Sequence, residues 1–215
     1  MKKSMMAPAN GHRVQGISTE SFLDANEILN NLDLNGDEIF MDAGCGDGHI
    51  AMEARKLLND DSKIYAVDIY EPSIDDLKNQ IKEEDIDNII PLVGDFTNHV
   101  NIPNDFVDVV LMVNVFHGFN AVRKLDEAVE EFKRIIKPGG KIAIMDYKKQ
   151  EAKHGPPYPI RMSSEEIEKL FNKHGLKCLK LINDTGEDIE TGKSHYLIIF
   201  TKWLNFIMII NVEYS

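Results

Sequence analysis

The chain has 215 residues, of which 43% are apolar, and a formal net charge of −12. Its length suits one domain with its own core, and an acidic chain without clusters of Lys or Arg is a poor partner for nucleic acid or anionic membranes. Two separated cysteines and seven scattered histidines predict neither a disulfide framework nor a structural zinc site. We therefore expect a single domain that acts on a small molecule and holds no metal.

Residues 1–10 lack the apolar core of a secretory signal, and no segment offers the ~20 apolar residues of a membrane span. We expect a cytoplasmic protein that does not contact membranes. The short apolar stretch "WLNFIMII" near the C-terminus is interpreted as a strand extension or a packed tail rather than a membrane contact. The sequence leaves the oligomeric state open.

The first predicted element is a helix over residues 19–32, introduced by the capping candidates Ser18, Thr19 and Ser21. Short apolar runs typical of buried strands then alternate with amphipathic segments typical of helices. The predicted strands cover residues 38–44, 62–70, 88–96, 106–116 and 141–147. The predicted helices between them cover residues 50–58, 72–84 and 121–136.

Strands and helices in alternation predict a parallel sheet with helices on both faces, because each parallel connection needs a right-handed crossover. The end of the chain differs. A helix over residues 163–174 precedes two strands, 177–184 and 194–202, that are joined only by a loop and should pair antiparallel at one edge. The predicted fold is a doubly wound, Rossmann-like α/β domain with a mostly parallel seven-stranded sheet and an antiparallel C-terminal hairpin.

Three glycines, Gly44, Gly46 and Gly48, follow the first predicted strand in "MDAGCGDGHI". In open parallel sheets a ligand binds beyond the carboxyl ends of the strands, where strand order reverses. Glycine there permits positive φ and close approach of the ligand. A tight turn without any ligand is the alternative interpretation of these glycines.

Two carboxylates follow the next two predicted strands. Asp68 lies 20 residues after Gly48, the spacing at which a carboxylate accepts hydrogen bonds from both ribose hydroxyls. Asp95 follows the third strand, where an adenine amino group needs an acceptor, and Ile69 or Phe96 offers the ring an apolar face. Together these residues predict a nucleoside site, although each aspartate alone is also typical of a solvated turn.

The glycine spacing is G-x-G-x-G, whereas a dinucleotide site needs G-x-G-x-x-G and would have glycine where this chain has His49. The stretch from Asp42 to Gly48 resembles, without gaps, the "(D/E)-x-G-x-G-x-G" motif of class I S-adenosylmethionine-dependent methyltransferases. "AVDI", "GDF", "LMVNVFHGF" and "IKPGGKIAIMDY" resemble later motifs of that family. "DYKKQEAKHGPPYPIRMSSEE" is similar to the "DWKK…GPP" segment of small methyltransferases of the type 11, UbiE-like group, with Tyr147 in place of Trp.

The resemblance implies that S-adenosylmethionine is the cofactor. It implies that the cofactor contacts Asp42, Gly44, Cys45, Gly46, Gly48, Asp68, Ile69, Asp95, Phe96 and Asn114.

His117 follows the fourth predicted strand and is the candidate general base, since an imidazole titrates near neutral pH. A loop histidine that only packs is the alternative. The polar segment 148–162 lies at the same end of the sheet and is a candidate lid, unless it merely covers the sheet edge. The candidate substrate wall consists of Tyr147, His154, Tyr158 and Arg161.

We expect one methyltransferase domain with five regions: a helical lead-in (1–35), a cofactor-binding core (36–147), the lid (148–162), the last helix with the hairpin (163–202) and the tail (203–215). Three other functions stay open from sequence alone. They are an NAD(P)-binding oxidoreductase, an enzyme that transfers another group from the sulfonium such as aminopropyl, and a binding module without chemistry.

Overall fold

The computed structural model describes residues 23–151 and 155–203. The helices are α1 (Ala25–Asn30), α2 (His49–Ala54), α3 (Glu71–Glu83), α4 (Phe116–Ala121), α5 (Leu125–Ile135) and α6 (Ser164–Lys173), with a 3-10 helix at Tyr158–Ile160. The strands are β1 (Phe40–Ala43), β2 (Ile64–Asp68), β3 (Ile89–Val93), β4 (Val107–Val113), β5 (Ile136–Tyr147), β6 (Leu176–Ile189) and β7 (Gly192–Lys202).

The seven strands form one sheet in the order β3-β2-β1-β4-β5-β7-β6. Strands β1 to β5 are parallel, and β7 is antiparallel to both β5 and β6. The order reverses between β1 and β4, which places the switch point beside the glycine loop. The predicted mostly parallel sheet with an antiparallel C-terminal hairpin is confirmed.

The helices cover both faces of the sheet, because alternate side chains of each buried strand enter different cores. Phe40 of β1 packs in a core with α1, α2 and α3, whereas its neighbour Met41 packs in a core with α4, α5 and α6. Helix α6 begins with the predicted capping box, in which Ser163 and Glu166 exchange hydrogen bonds.

Two expectations about elements differ from the structure. Arg123 has a φ of +58° and separates α4 from α5, so the single helix predicted over residues 121–136 is wrong in its first turn. The predicted loop at 185–193 is mostly strand, because β6 and β7 continue to a tight turn at Glu190 and Thr191. Its polar residues fit an edge strand, where neither face needs to be fully apolar.

Some of the sequence predictions concern residues outside the described ranges. This holds for the capping candidates Ser18, Thr19 and Ser21, for most of the apolar tail and for His154. Helix α1 begins instead after Asp24, whose carboxylate accepts from the N–H groups of Asn26 and Glu27.

Candidate active site

The glycine loop connects β1 to α2, and its three glycines have φ values of +81°, +54° and +83°. A Cβ at Gly44 would lie 2.3 Å from Cγ2 of Val115, and a Cβ at Gly48 would lie 2.7 Å from Cδ1 of Leu77. Packing against the protein therefore requires Gly44 and Gly48 before any ligand is considered. Cys45 is buried between them, and burial raises the pKa of its thiol, so it stays protonated at neutral pH.

The Asp68 carboxylate at the end of β2 connects this loop to the next strand. Its Oδ2 accepts from the Gly46 N–H at 2.9 Å, and its Oδ1 accepts from the Tyr70 N–H at 2.8 Å. A carboxylate oxygen can accept a second hydrogen bond, so both oxygens retain capacity for ribose hydroxyls. The neighbouring Ile69 is 39% exposed and provides an apolar surface there. These residues fit the adenosyl part of S-adenosylmethionine.

Asp95 and Phe96 follow β3. Asp95 Oδ1 accepts from the backbone N–H and the hydroxyl of Thr97, and Oδ2 accepts from Asn98 Nδ2. Asp95 therefore caps its own turn and keeps fewer free lone pairs than Asp68. Phe96 is buried and stacks on Phe132, with 4.6 Å between ring centroids, so Ile69 is the exposed member of the predicted pair.

Asp42 is buried beneath the glycine loop, and its Oδ2 accepts from the Ala51 N–H in the first turn of α2. Burial raises the pKa of Asp42 to about 8, and the nearby charges of Asp68 and Asp47 act in the same direction. With this pKa the Asp42 carboxyl group is mostly protonated at neutral pH.

His117 is buried in the first turn of α4 rather than in the predicted loop. Its Nδ1 lies 2.9 Å and 3.1 Å from the two carboxylate oxygens of Asp146, and its backbone N–H donates to Asp146 Oδ2. Burial acts to raise the pKa of Asp146, but the charge and hydrogen bonds of His117 and the Tyr147 N–H hold it below its ordinary value. Because the Asp146 carboxylate lies against Nδ1 of His117, Nδ1 carries a proton, and Nε2 is the ring nitrogen that can act as a base.

Asn114 and His195 lie beside this pair. Asn114 has a φ of +59° immediately after β4, and its N–H donates to the Met145 carbonyl. Its Oδ1 is 2.9 Å from Nε2 of His195 on β7. Burial lowers the pKa of His195 to about 4, so its ring is neutral at physiological pH. Sequence reasoning missed His195, since 81 residues separate it from Asn114.

The described part of segment 148–162 packs on Tyr147 at the end of β5. The Arg161 guanidinium lies 5.4 Å from the centre of the Tyr147 ring, and it donates to the carbonyls of Pro156 and Gln150 at 2.7 Å each. A Cβ at Gly155 would lie 2.6 Å from the Tyr147 ring. Tyr147 and Arg161 are therefore buried anchors of the segment.

Of the other two predicted wall residues, Tyr158 is exposed and His154 lies outside the described residues. Within residues 23–151 and 155–203, no three His, Cys, Asp or Glu side chains are grouped as metal ligands. None of the helices in the same ranges is long and apolar enough to cross a membrane. A depression of about 390 Å³, lined by residues such as Asp37, Asp108 and Lys137, lies at the opposite end of the sheet.

The chain is a doubly wound domain, and the residues at its switch point form a candidate site for a nucleoside of the adenosyl-sulfonium type. The family described as "Methyltransferase domain" matches residues 34–201 of the chain. The chain belongs to this family, and the matched region is an S-adenosylmethionine-dependent methyltransferase domain. The family resemblance and the cofactor that were inferred from the sequence motifs are confirmed.

A solved structure with the same fold is a S-adenosylmethionine-dependent methyltransferase from Aquifex aeolicus, with a TM-score of 0.73 and 23% identity over 84% of this chain and 90% of that chain. Curated relatives include the UbiE ubiquinone/menaquinone biosynthesis C-methyltransferase of Cupriavidus pinatubonensis, 23% identical over 51% of this chain and 43% of the relative.

Two further relatives bear names that refer to RNA. An uncharacterized RNA methyltransferase of Clostridium tetani is 33% identical over 43% of this chain and 19% of its own length. The tRNA N(3)-cytidine methyltransferase METTL2 of Gallus gallus is 21% identical over 76% of this chain and 49% of its own length. The chain spans less than half the length of each of these three curated relatives.

Proposed function

We propose that the protein transfers the methyl group of S-adenosylmethionine to a small-molecule acceptor, by in-line displacement at the carboxyl ends of β1, β2, β4 and β5. The observation that carries this proposal is the Asp68 carboxylate bound to the N–H of Gly46. It joins the glycine loop to the position from which ribose hydroxyls are bound. We also propose that the reaction takes place in the cytoplasm.

In this proposal residues 36–147 hold the cofactor. Asp68 accepts from both ribose hydroxyls, Asp95 accepts from the adenine amino group, and Ile69 lies against the ring. Gly44, Cys45, Gly46 and Gly48 shape the loop, Phe96 supports the adenine end from the core, and Asn114 contacts the amino-acid end. When bound, the cofactor supplies an electrophilic methyl group on a sulfonium. The buried acid Asp42 favours that positive charge over the neutral sulfur of the product.

His117 is the proposed general base for an acceptor that arrives protonated. Its Nε2 takes the acceptor proton, and the resulting imidazolium is stabilised by Asp146, which lies 2.9 Å from Nδ1. General base catalysis of this kind contributes about 10²- to 10⁴-fold. Most of the barrier reduction comes from alignment of the reacting atoms, which supplies ~7 to 11 kcal/mol.

Segment 148–162 is the proposed lid over the acceptor. Tyr147 and Arg161 hold it in place, while Tyr158 and His154 are the candidates for contact with the acceptor. The net charge of −12 favours a small acceptor, because a phosphate backbone would be repelled. The names of two relatives favour RNA as the second candidate acceptor.

Calorimetry with S-adenosylmethionine, S-adenosylhomocysteine and NAD tests the cofactor part of the proposal. We expect heat from the two adenosyl ligands and none from NAD. Asp68→Ala should weaken the binding of S-adenosylhomocysteine at least tenfold, because hydrogen bonds to a charged group contribute ~1.5 to 3 kcal/mol each. Asp61→Ala, which removes the same charge from an exposed turn, should bind normally. Equal affinity of both variants for S-adenosylhomocysteine would contradict the assignment of Asp68 to the ribose.

A screen of small thiols, amines, phenols and metalloid oxyanions, run beside bulk tRNA, tests the acceptor part. Product is measured as S-adenosylhomocysteine. We expect turnover with a small molecule, and we expect His117→Gln to lower kcat about 10²- to 10⁴-fold while cofactor affinity is kept. Transfer to tRNA without transfer to any small molecule would replace the small acceptor by RNA and leave the methyltransferase assignment intact.

A further inference from the structure

Asn114 occupies a defined place beside the glycine loop. In the parallel register of β1 and β4, Asp42 lies opposite Leu111, and Asn114 follows the end of β4 as the glycine loop follows the end of β1. The side chain of its neighbour Val115 packs directly against Gly44. Asn114 is therefore next to any ligand that crosses this loop.

Three side chains form a hydrogen-bonded series that ends at Asn114. Oγ of Ser194 accepts from the Glu187 N–H at 2.9 Å and lies 2.6 Å from Nδ1 of His195. Nε2 of His195 lies 2.9 Å from Oδ1 of Asn114. Ser194 and His195 are both buried, at 4% and 0% exposure, so water does not complete these hydrogen bonds.

The protons in this series have one arrangement in which every donor has an acceptor. The Ser194 hydroxyl donates to Nδ1 of neutral His195, whose Nε2–H then donates to Oδ1 of Asn114. In the other tautomer the Nδ1–H of His195 and the backbone N–H of Glu187 would both point at Ser194 Oγ. The hydroxyl proton of Ser194 would then have no acceptor among the described residues. A buried donor without an acceptor is costly.

This arrangement fixes the side-chain amide of Asn114. Its oxygen faces His195, so its Nδ2 carries two N–H donors away from the buried ring. Asn114 is half-buried, and Nδ2 makes no hydrogen bond within residues 23–151 and 155–203. The Asn114 side chain is therefore oriented to donate hydrogen bonds from Nδ2.

Strand order indicates which part of the ligand meets this donor. With adenine at the end of β3 and ribose at Asp68 on β2, the rest of the cofactor passes over the loop after β1 and reaches β4. That part is an amino acid with one ammonium and one carboxylate group, and only the carboxylate complements an N–H donor. We propose that Ser194 and His195 are positioning residues that fix Asn114 as a hydrogen-bond donor to the carboxylate of the cofactor's amino-acid moiety.

The inference rests on the proposed function for the identity of the ligand, but the tautomer can be measured on the protein alone. Nitrogen NMR of protein labelled in histidine, with His195→Gln to assign the signal, should show His195 protonated on Nε2. Ser194→Ala removes the donor to Nδ1 and should yield a mixture of both tautomers. Protonation of His195 on Nδ1 in the unchanged protein would reverse the Asn114 amide and overturn the inference.

Binding then tests the carboxylate. 5′-Methylthioadenosine shares the nucleoside and sulfur of S-adenosylhomocysteine but lacks the amino-acid carboxylate. Asn114→Asp removes the donor yet keeps a residue that tolerates positive φ, so it should bind S-adenosylhomocysteine at least tenfold more weakly and 5′-methylthioadenosine less than twofold more weakly. Asn59→Asp, an equal charge change on an exposed residue, should alter neither affinity.

An equal loss for both ligands in Asn114→Asp, or no loss for either, overturns the inference. If the unchanged protein binds neither ligand, the proposed function itself fails, and that result is distinct from a loss confined to the variant.

Discussion

At the scale of single residues, the glycine loop combines two demands that look alike in the sequence. Gly44 and Gly48 have left-handed backbones, and a side chain on either would collide with Val115 or Leu77. The motif therefore encodes the packing of the loop against α3 and the start of α4 as well as a ligand site. This explains why a turn and a nucleoside site could not be separated by glycine spacing alone.

Gly44→Ala should destabilise the protein more than Gly139→Ala. Both positions have nearly the same φ, +81° and +82°, so both substitutions carry the left-handed penalty of ~1 to 2 kcal/mol. A Cβ at Gly139 has no atom within 4 Å, whereas at Gly44 it meets Val115 at 2.3 Å, and such overpacking typically costs a further ~1 to 3 kcal/mol. Urea unfolding of the two variants measures the difference.

A double variant checks the cause of that difference. Val115→Ala removes the methyl groups that the new Cβ would meet, so Gly44→Ala should be less destabilising in that background than alone. Equal unfolding free energies for Gly44→Ala and Gly139→Ala would contradict the packing argument.

Residues of the candidate site could be proposed from sequence where they closely follow the end of a predicted strand. Asp68, Asn114 and His117 were found in this way, because strand ends meet at one edge of the sheet. Asp146 and His195 were missed, since their roles depend on partners 29 and 81 residues away in the chain. Asp146 directly precedes Tyr147 at the end of β5, so the same rule could have indicated it.

At the scale of elements, the buried guanidinium of Arg161 is one of the groups that hold the described part of segment 148–162. Arg161 donates to two backbone carbonyls of the segment, and its guanidinium covers Tyr147. Burial lowers the pKa of Arg161, although the nearby Tyr147, Glu151 and Asp146 act in the opposite direction. Arg161 thus links residues from both sides of the segment to the end of β5.

Arg161→Met should release the segment without loss of the cofactor site. Charge-assisted hydrogen bonds are worth ~1.5 to 3 kcal/mol each, so loss of two should raise the rate of trypsin cleavage in this part of the chain at least tenfold. Affinity for S-adenosylhomocysteine should change less than twofold, and turnover should fall strongly because the acceptor is exposed to water. Lys169→Met, a change on the exposed surface of α6, serves as the control. Unchanged proteolysis would show that other contacts hold the segment.

Elements with a clear hydrophobic periodicity and a recognisable capping motif were predicted well, such as α6 with its N-terminal capping box. The errors arose where tertiary geometry decides the boundary. Arg123 interrupts a continuous helical pattern with a positive φ, and the ends of β6 and β7 pair although their residues are polar. Neither feature changes the apolar pattern that sequence reasoning uses.

At the scale of the whole molecule, buried acids make stability depend on pH in two directions. The pKa of Asp146 is held below its ordinary value, so its contribution to stability is present above pH ~4 and is lost as pH falls through its folded pKa. Burial places the pKa of Asp42 at about 8 in the folded protein, far above the ~3.9 of an unfolded aspartate. The cofactor site therefore contains a group that opposes folding at neutral and higher pH.

Between pH ~4 and 8 the folded protein keeps the Asp42 proton that the unfolded chain has released, so stability should fall as pH rises, by up to ~1.4 kcal/mol per pH unit. Relative to the unchanged protein, Asp42→Asn should gain stability steadily as pH rises from 5 to 8, because the amide resembles the neutral acid and cannot ionise. His195, whose folded pKa of about 4 acts in the opposite direction up to pH ~6.5, is common to both proteins and cancels in the difference. Urea midpoints from pH 5 to 8 measure that difference, with Asp61→Asn as the exposed control. Parallel curves for Asp42→Asn and the unchanged protein would show that Asp42 is already ionised in the folded state.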